Sequence, residues 1–308
     1  MGRKFYIKKE GAWLTNLIDS VFKKKVPVFP ETVLLETHSG CNGLCVFCPY
    51  EDIEKNLPKG RMEQGLFSRI VDELALFNAK KIIPCFINEP LLDSTLLGKL
   101  AYIREKTPKT AISLTTNASL LTEEKIRKIL DENLADEINI SFQGISKAAY
   151  ERSMKGLSFD KTLKNVKTLL SLRGNGPKRP VVVITTVETN IVEAELNSAR
   201  AFWEGMGADF KTLPFETRSG DVTERLRMSG KEVSQMHCKR PFNTMVISFD
   251  GLVPICCVDY TRRVVLGDVN KESIHQIWNG GRFSEVRKKL TEGRAKEIPA
   301  CRDCRMAQ

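Results

Sequence analysis

From residue 31 onward, short apolar runs alternate with amphipathic stretches, and no other feature of the chain restricts its fold as much. The apolar runs cover 32–38, 82–87, 111–116, 137–142, 181–186 and 209–213. Val181-Val182-Val183-Ile184 shows their β-branched character, which suits a pleated strand. Helical periodicity falls between them, over 63–77, 93–105, 122–131, 160–173 and 193–206. Six strands separated by helices predict an α/β fold, with a parallel sheet and the helices outside it. Ligands gather at the carboxyl ends of the strands in such folds.

Residues 1–30 read as an N-terminal cap, because Trp13-Leu14, Leu17-Ile18 and Val21-Phe22 recur at helical spacing before Pro27 and Pro30. Apolar residues thin out after Pro214. The main unit is therefore expected over 31–214, a linker over 215–235, and a small α+β unit over 236–308. In that last unit 245–249 and 252–256 predict a hairpin turning at Asp250-Gly251. Helices are expected near 274–278 and 282–291.

The loop after the first strand reads C-N-G-L-C-V-F-C and carries Cys41, Cys45 and Cys48. Thiolates suit iron–sulfur clusters. A cubane usually takes four Cys, so three would hold it by three irons and leave the fourth iron open. Zinc is the competing reading, with His38 supplying a fourth ligand. Nine cysteines in a chain that opens without an apolar signal segment point to a reducing, cytoplasmic setting rather than a disulfide framework. An exposed cluster adds a need for low oxygen. No run of about 18 apolar residues predicts a membrane span, and Tyr6 stands where a myristoylation motif wants a small hydroxyl residue. The net charge of +10 is spread along the chain. That favours a solvated surface over a nucleic-acid patch, while an anionic substrate remains compatible.

Phe47 directly precedes the third cysteine, and Glu89-Pro90 follows the second strand. With the C-x3-C-x2-C triad, these resemble the radical S-adenosylmethionine (SAM) superfamily. The resemblance implies that the sheet curls into a partial (β/α)6 barrel and that a 4Fe-4S cluster on the triad binds SAM through its open iron. It implies that Glu89 meets the methionyl ammonium, although Ile87 and Asn88 replace the usual glycines. Asn117, after Thr116, and Ser141 with Gln143 stand where relatives hold the ribose or carboxylate. Arg152 would pair the methionyl carboxylate, and Phe47 would lie near adenine. Glu188 and Thr189-Asn190 offer a further ribose contact. The plain alternatives are a solvated loop acid for Glu89, a surface helix residue for Arg152 and ordinary packing for Phe47.

A second cysteine set comprises Cys238, the pair Cys256-Cys257, and Cys301-Arg302-Asp303-Cys304. A C-x2-C pair with distant partners can bind zinc. Following this barrel, however, the order resembles the twitch form of the SPASM family, in which four such cysteines hold an auxiliary 4Fe-4S cluster. Strand alternation would put Cys256 and Cys257 on opposite faces, so the expected ligands are Cys238, Cys256, Cys301 and Cys304. Cys257 is left as a packed thiol or as a hydrogen-atom donor to a substrate radical. Cys85 is expected in the core or barrel lining. The chain ends four residues after Cys304, so one auxiliary cluster is expected.

The resemblance implies radical chemistry on a small-molecule or peptide substrate, with electrons from a flavodoxin- or ferredoxin-type donor. The first expectation is oxidation of a sugar- or aminocyclitol-like alcohol, with Asp259, Tyr260, Asp221 and Arg218 as candidate bases by position. The alternatives are maturation of a ribosomal peptide by crosslinking or epimerisation, and an epimerase using Cys257. The first thirty residues are too short for a separate leader-binding domain. A non-catalytic metal or nucleic-acid-binding protein is the reading from another class.

Overall fold

The computed structural model describes residues 26–174, 176, 179–216 and 238–304. The helix expected within residues 1–25 and most of the expected linker lie outside the described residues. Among the described residues, seven strands form one parallel sheet. They are β1 (Thr32–Leu35), β2 (Lys81–Ile83), β3 (Ala111–Thr116), β4 (Glu137–Ser141), β5 (Val181–Val187), β6 (Asp209–Leu213) and β7 (Thr244–Ile247). The order across the sheet is β6-β5-β4-β3-β2-β1-β7. Helices α1 (Gln64–Leu76), α2 (Leu96–Lys106), α3 (Glu123–Asp131), α4 (Lys147–Ser153), α5 (Phe159–Arg173) and α6 (Leu196–Gly205) connect the first six strands.

Side-chain alternation along the strands gives the sheet two different faces. Val33 and Leu35 on β1, Ile112 and Leu114 on β3, and Ile138 and Ile140 on β4 join one apolar core with Phe67, Val71, Leu100, Ile126 and Leu169 of the helices. The opposite face carries Leu34 and Val246, which sit side by side, and the polar Asn139, Ser141 and Thr185. The helices cover one face only, and the edge strands β6 and β7 do not pair. This is the partial barrel expected from the sequence, and its uncovered face is the lumen.

Strands β1, β2 and β4 end earlier than expected, whereas β3 and β6 end as expected and β5 runs one residue further. Strand β2 stops at Ile83 because Pro84 has no N–H for the ladder. The next amide, that of Cys85, turns back to Ile83 O at 2.8 Å, and that of Phe86 donates to Asn88 Oδ1 at 3.0 Å.

The expected hairpin does not form. Residues 244–247 instead lie parallel to β1, in register from Thr32↔Thr244 to Leu35↔Ile247. Met245, Val246 and Ile247 are each at most 1% exposed, the pattern of a strand buried on both faces of a parallel sheet. The chain turns at Gly251, whose φ of +88° suits glycine. It continues as β8 (Leu252–Pro254), which pairs antiparallel with β9 (Val265–Asp268). The boundary expected at residue 236 therefore does not separate two sheets, since the barrel's seventh strand comes from beyond it. Cys256 and Cys257 lie past the end of β8, so strand alternation does not set their faces.

Two further helices, α7 (Ile274–Asn279) and α8 (Gly281–Thr291), pack this segment onto the barrel. Glu73 of α1 accepts hydrogen bonds from the Ile274 and His275 amides at 2.9 and 2.8 Å, complementing the positive end of α7. The rings of Phe29, Phe77 and His275 stack in a column across the same junction. No helix among the described residues is long and apolar enough to cross a membrane.

Candidate active site

The cysteine loop leaves the C-terminal end of β1 and is tied down at several points. The Cys41 amide donates to Tyr50 Oη at 3.0 Å and the Cys48 amide to Cys45 O at 2.9 Å. Leu44–Cys45 pairs antiparallel with Met154–Lys155 just after α4. Burial pushes the Cys41 thiol up to about 12, partly offset by the Gly43 amide. Burial, then Cys48 and Cys41, raises Cys45 further. Thiols this buried stay protonated until a cation replaces their protons.

No three His, Cys, Asp or Glu side chains among the described residues converge to share one metal ion. A cubane does not require that, because each thiolate takes a different iron. His38 is not free to complete a zinc site. Its Nδ1 accepts from the Gly40 amide at 2.9 Å, which makes Nε2 the donor to Glu89 O at 2.8 Å. Burial lowers the His38 pKa, so the ring is neutral and both nitrogens are engaged. The three thiols thus fit a site-differentiated cluster better than zinc.

The loop after β2 brings Glu89 beside this site at 2% exposure. Its Oε1 accepts from Thr116 Oγ1 at 2.6 Å and the Leu91 amide at 3.1 Å, and Oε2 accepts from the Asn117 amide at 2.7 Å. A carboxylate has about four acceptor positions, so one remains on Oε2. Burial raises the Glu89 carboxyl, opposed by these donors. Glu89 is therefore not a solvated loop acid.

Asn117 is held differently from what the sequence suggests. Its Oδ1 accepts from Ser119 Oγ and the Ser119 amide, and its Nδ2 donates to Asn42 Oδ1 at 2.9 Å. Its amide group fastens the cysteine loop to the end of β3. Gln143 is 1% exposed, and its amide spans to β5 through Val187 N and Thr185 O. Both side chains are engaged within the chain, and each keeps one amide N–H uncommitted. Ser141 does lie on the lumen face, at the C-terminal end of β4. Arg152 is exposed in the last turn of α4, two residues from the strand that pairs with Leu44–Cys45. Phe47 is 9% exposed and belongs to the main core. Thr189 is 2% exposed, and its Oγ1 has no partner.

An ion pair supports the Glu89 loop. Lys99 Nζ lies 2.8 Å from Asp93 Oδ2, with the side chains 5% and 0% exposed. Burial alone would raise the Asp93 carboxyl, but Lys99 and Thr95 outweigh it and hold it at about 2. We expect Lys99→Met to cost about 3–5 kcal/mol, because it strands a buried carboxylate. Urea unfolding of the two proteins measures this. The pair's contribution is present above the ordinary carboxylate pKa and is lost as pH falls from about 4 to about 2.

The second cysteine set is also gathered. Cys256, Cys301 and Cys304 are buried, and Cys238 and Cys257 are half-buried. Burial raises the Cys238 thiol, with Cys304 and Cys257 adding to it. Burial pushes Cys301 up to about 12, with Cys238, Cys304 and Asp259 adding to it. These thiols therefore act on one another, although 62 residues separate Cys238 from the C-x2-C pair that begins at Cys301. Arg240 faces Cys257, Cys256 and Cys238 and reaches Glu216 at 3.0 Å. Cys257 packs against the main core and also against a small apolar cluster of Phe86, Val246 and Tyr260 on the lumen side, on which Leu34 and Cys48 pack too. Cys85 is half-buried and directs its thiol to Asn88 O.

The candidate bases fare unequally. Asp259 is 0% exposed, and its carboxylate accepts from the Arg263 and Val264 amides, so it holds the turn before β9. Tyr260 packs edge-on to Phe86 in the lumen cluster. Asp221 and Arg218 lie outside the described residues. The motifs missed Glu36 and Arg240, which belong to none. A carboxylate closing an apolar strand was the available signal for Glu36.

Fold and site together define a partial barrel with a cysteine triad at the C-terminal end of its first strand and a second cysteine-rich centre. Residues 35–196 match the model of the Radical SAM superfamily, and the chain belongs to that superfamily. Residues 238–305 match the SPASM iron-sulfur cluster-binding domain. Its cofactors are accordingly a SAM-binding 4Fe-4S cluster, an auxiliary cluster and SAM. The chain is 22% identical over 271 residues to the S-adenosyl-L-methionine-dependent 2-deoxy-scyllo-inosamine dehydrogenase of Niallia circulans, covering 88% of this chain and 90% of the relative. Among solved structures it resembles BtrN in complex with AdoMet and 2-DOIA, with TM-score 0.65, 20% identity, and 89% and 92% of the two chains covered. It also resembles Streptococcus suis SuiB bound to precursor peptide SuiA, with TM-score 0.68, 12% identity, and 93% and 74% covered.

Proposed function

We propose that the chain oxidises an alcohol of an aminocyclitol- or sugar-like small molecule by two electrons. The observation that carries this is the lumen cluster, where Cys48 of the first set and Cys257, beside the second, pack together with Phe86 and Tyr260. A substrate lodged there meets both centres. Cys41, Cys45 and Cys48 hold the SAM-binding cluster, and Cys238, Cys256, Cys301 and Cys304 hold the auxiliary one. Bound in these sites, the cofactors supply a 5′-deoxyadenosyl radical and an electron acceptor. The chain's own residues position and exclude water. Glu89 offers its remaining Oε2 position to the methionyl ammonium. Ser141, and Arg152 at the rim, meet the rest of SAM. The lumen wall of Asn139, Ser141 and Thr185 suits a polyhydroxylated substrate. A flavodoxin- or ferredoxin-type protein of the cytoplasm delivers the initiating electron.

Anaerobic reconstitution, SAM, a reductant and 2-deoxy-scyllo-inosamine test this. The expected result is a keto product. A second reading, epimerisation, is favoured by the placement of Cys257 in the lumen cluster while four other thiols suffice for the auxiliary centre. It predicts an inverted alcohol carrying deuterium from heavy water. Turnover only of a peptide would refute both.

A further inference from the structure

The lumen end of β1 holds a buried carboxylate that no motif assigns. Glu36 follows Leu34 by two residues, and its amide donates to Ile247 O at 2.9 Å, which carries the β1 ladder on to it and puts it on Leu34's face. Leu34 packs in the lumen cluster with Phe86, Tyr260 and Cys257. It stands at the C-terminal end of the strand, where substrates bind in such barrels. Its exposure is 0%. One oxygen is held in place. Oε2 accepts from the Phe249 amide at 3.3 Å and lies 3.8 Å from Arg262 Nη2. Arg262 is anchored in turn by Asp250, 2.6 Å from Nη1. The other oxygen, Oε1, is buried with no hydrogen bond of ordinary geometry, although the Ile87 amide stands near the carboxylate, and Arg262 Nε is buried without a hydrogen bond as well. Such orphans are rare in folded proteins and require an explanation.

Resting on the oxidation proposed above, we propose that Glu36 accepts the proton of the reacting hydroxyl. Removing two electrons from an alcohol breaks one C–H and one O–H bond. The hydrogen atom goes to the 5′-deoxyadenosyl radical, the O–H proton to Glu36 Oε1, and the remaining electron to the oxidised auxiliary iron–sulfur cluster. Arg262 steadies the carboxylate from the Oε2 side and leaves Oε1 for the substrate. Burial pushes the Glu36 carboxyl up to about 7, against the Phe249 amide, Arg262 and the Ile87 amide and with Asp250 adding to it. A base of that strength both takes and releases a proton near neutral pH. The charged and titratable groups around it are Arg262, Asp250 and Cys85.

The test compares wild type, Glu36→Gln and Glu36→Asp with 2-deoxy-scyllo-inosamine, measuring iron content, 5′-deoxyadenosine and keto product. Glu36→Gln should keep its iron and its 5′-deoxyadenosine, while keto product falls about 100-fold or more, the lower range for losing a general base. Glu36→Asp should recover part of it. In wild type the product should decline as pH drops through about 7, because the protonated acid cannot accept, and Glu36→Gln should lack that limb. Undiminished keto product in Glu36→Gln overturns this proposal alone. Joint loss of iron, 5′-deoxyadenosine and product assigns Glu36 to folding and also overturns it. A wild type that makes no keto product removes the oxidation reading, and this proposal with it.

Discussion

Cys45→Ala should reduce SAM cleavage by more than about 100-fold, because changes merely behind metal ligands already cost 10–100-fold. Cys45 sits mid-loop, where Leu44–Cys45 pairs with Met154–Lys155. Alanine preserves that backbone pairing and removes only the sulfur. The fold should therefore survive, with iron falling from about eight to about four per chain and 5′-deoxyadenosine at background. Iron analysis and chromatography of the same sample check both points. Retained cleavage with four iron lost would dissociate the triad from SAM.

Cys301→Ala should have the complementary effect. Cys301 is 6% exposed and is joined by Cys238 and Cys304 at the second site. Its loss should again leave about four iron per chain but spare 5′-deoxyadenosine formation. Keto product should vanish, because the substrate radical no longer has an acceptor for its second electron. Unchanged product formation would remove the auxiliary centre from the reaction. The two variants separate radical generation from radical fate, which no single deletion does.

The features legible in the sequence were those with local signals. Strand–helix alternation gave six of the strands, and cysteine spacing pointed to both centres. What escaped depends on long-range pairing. Residues 244–247 look like one arm of a hairpin because Asp250-Gly251 is a strong turn signal, and the turn does occur. Their partner, β1, lies more than 200 residues earlier, and nothing local names it. Asn117 and Gln143 occupy strand ends where ligands bind, yet most of their amide hydrogen bonds go to Asn42, Ser119 and β5. Sequence position cannot report how a side chain's hydrogen bonds are spent. Glu36 escaped for the opposite reason: it carries no motif, and only its burial and its unpaired oxygen mark it out.

In the proposed oxidation both centres serve one lumen. The direct measurement uses 2-deoxy-scyllo-inosamine deuterated at the carbinol carbon, with the fully reconstituted chain, SAM and a reductant under anaerobic conditions. The expected result is one deuterium in each 5′-deoxyadenosine and an equal amount of keto product. Deuterated 5′-deoxyadenosine accompanied by inverted alcohol, or by no keto product, would contradict it.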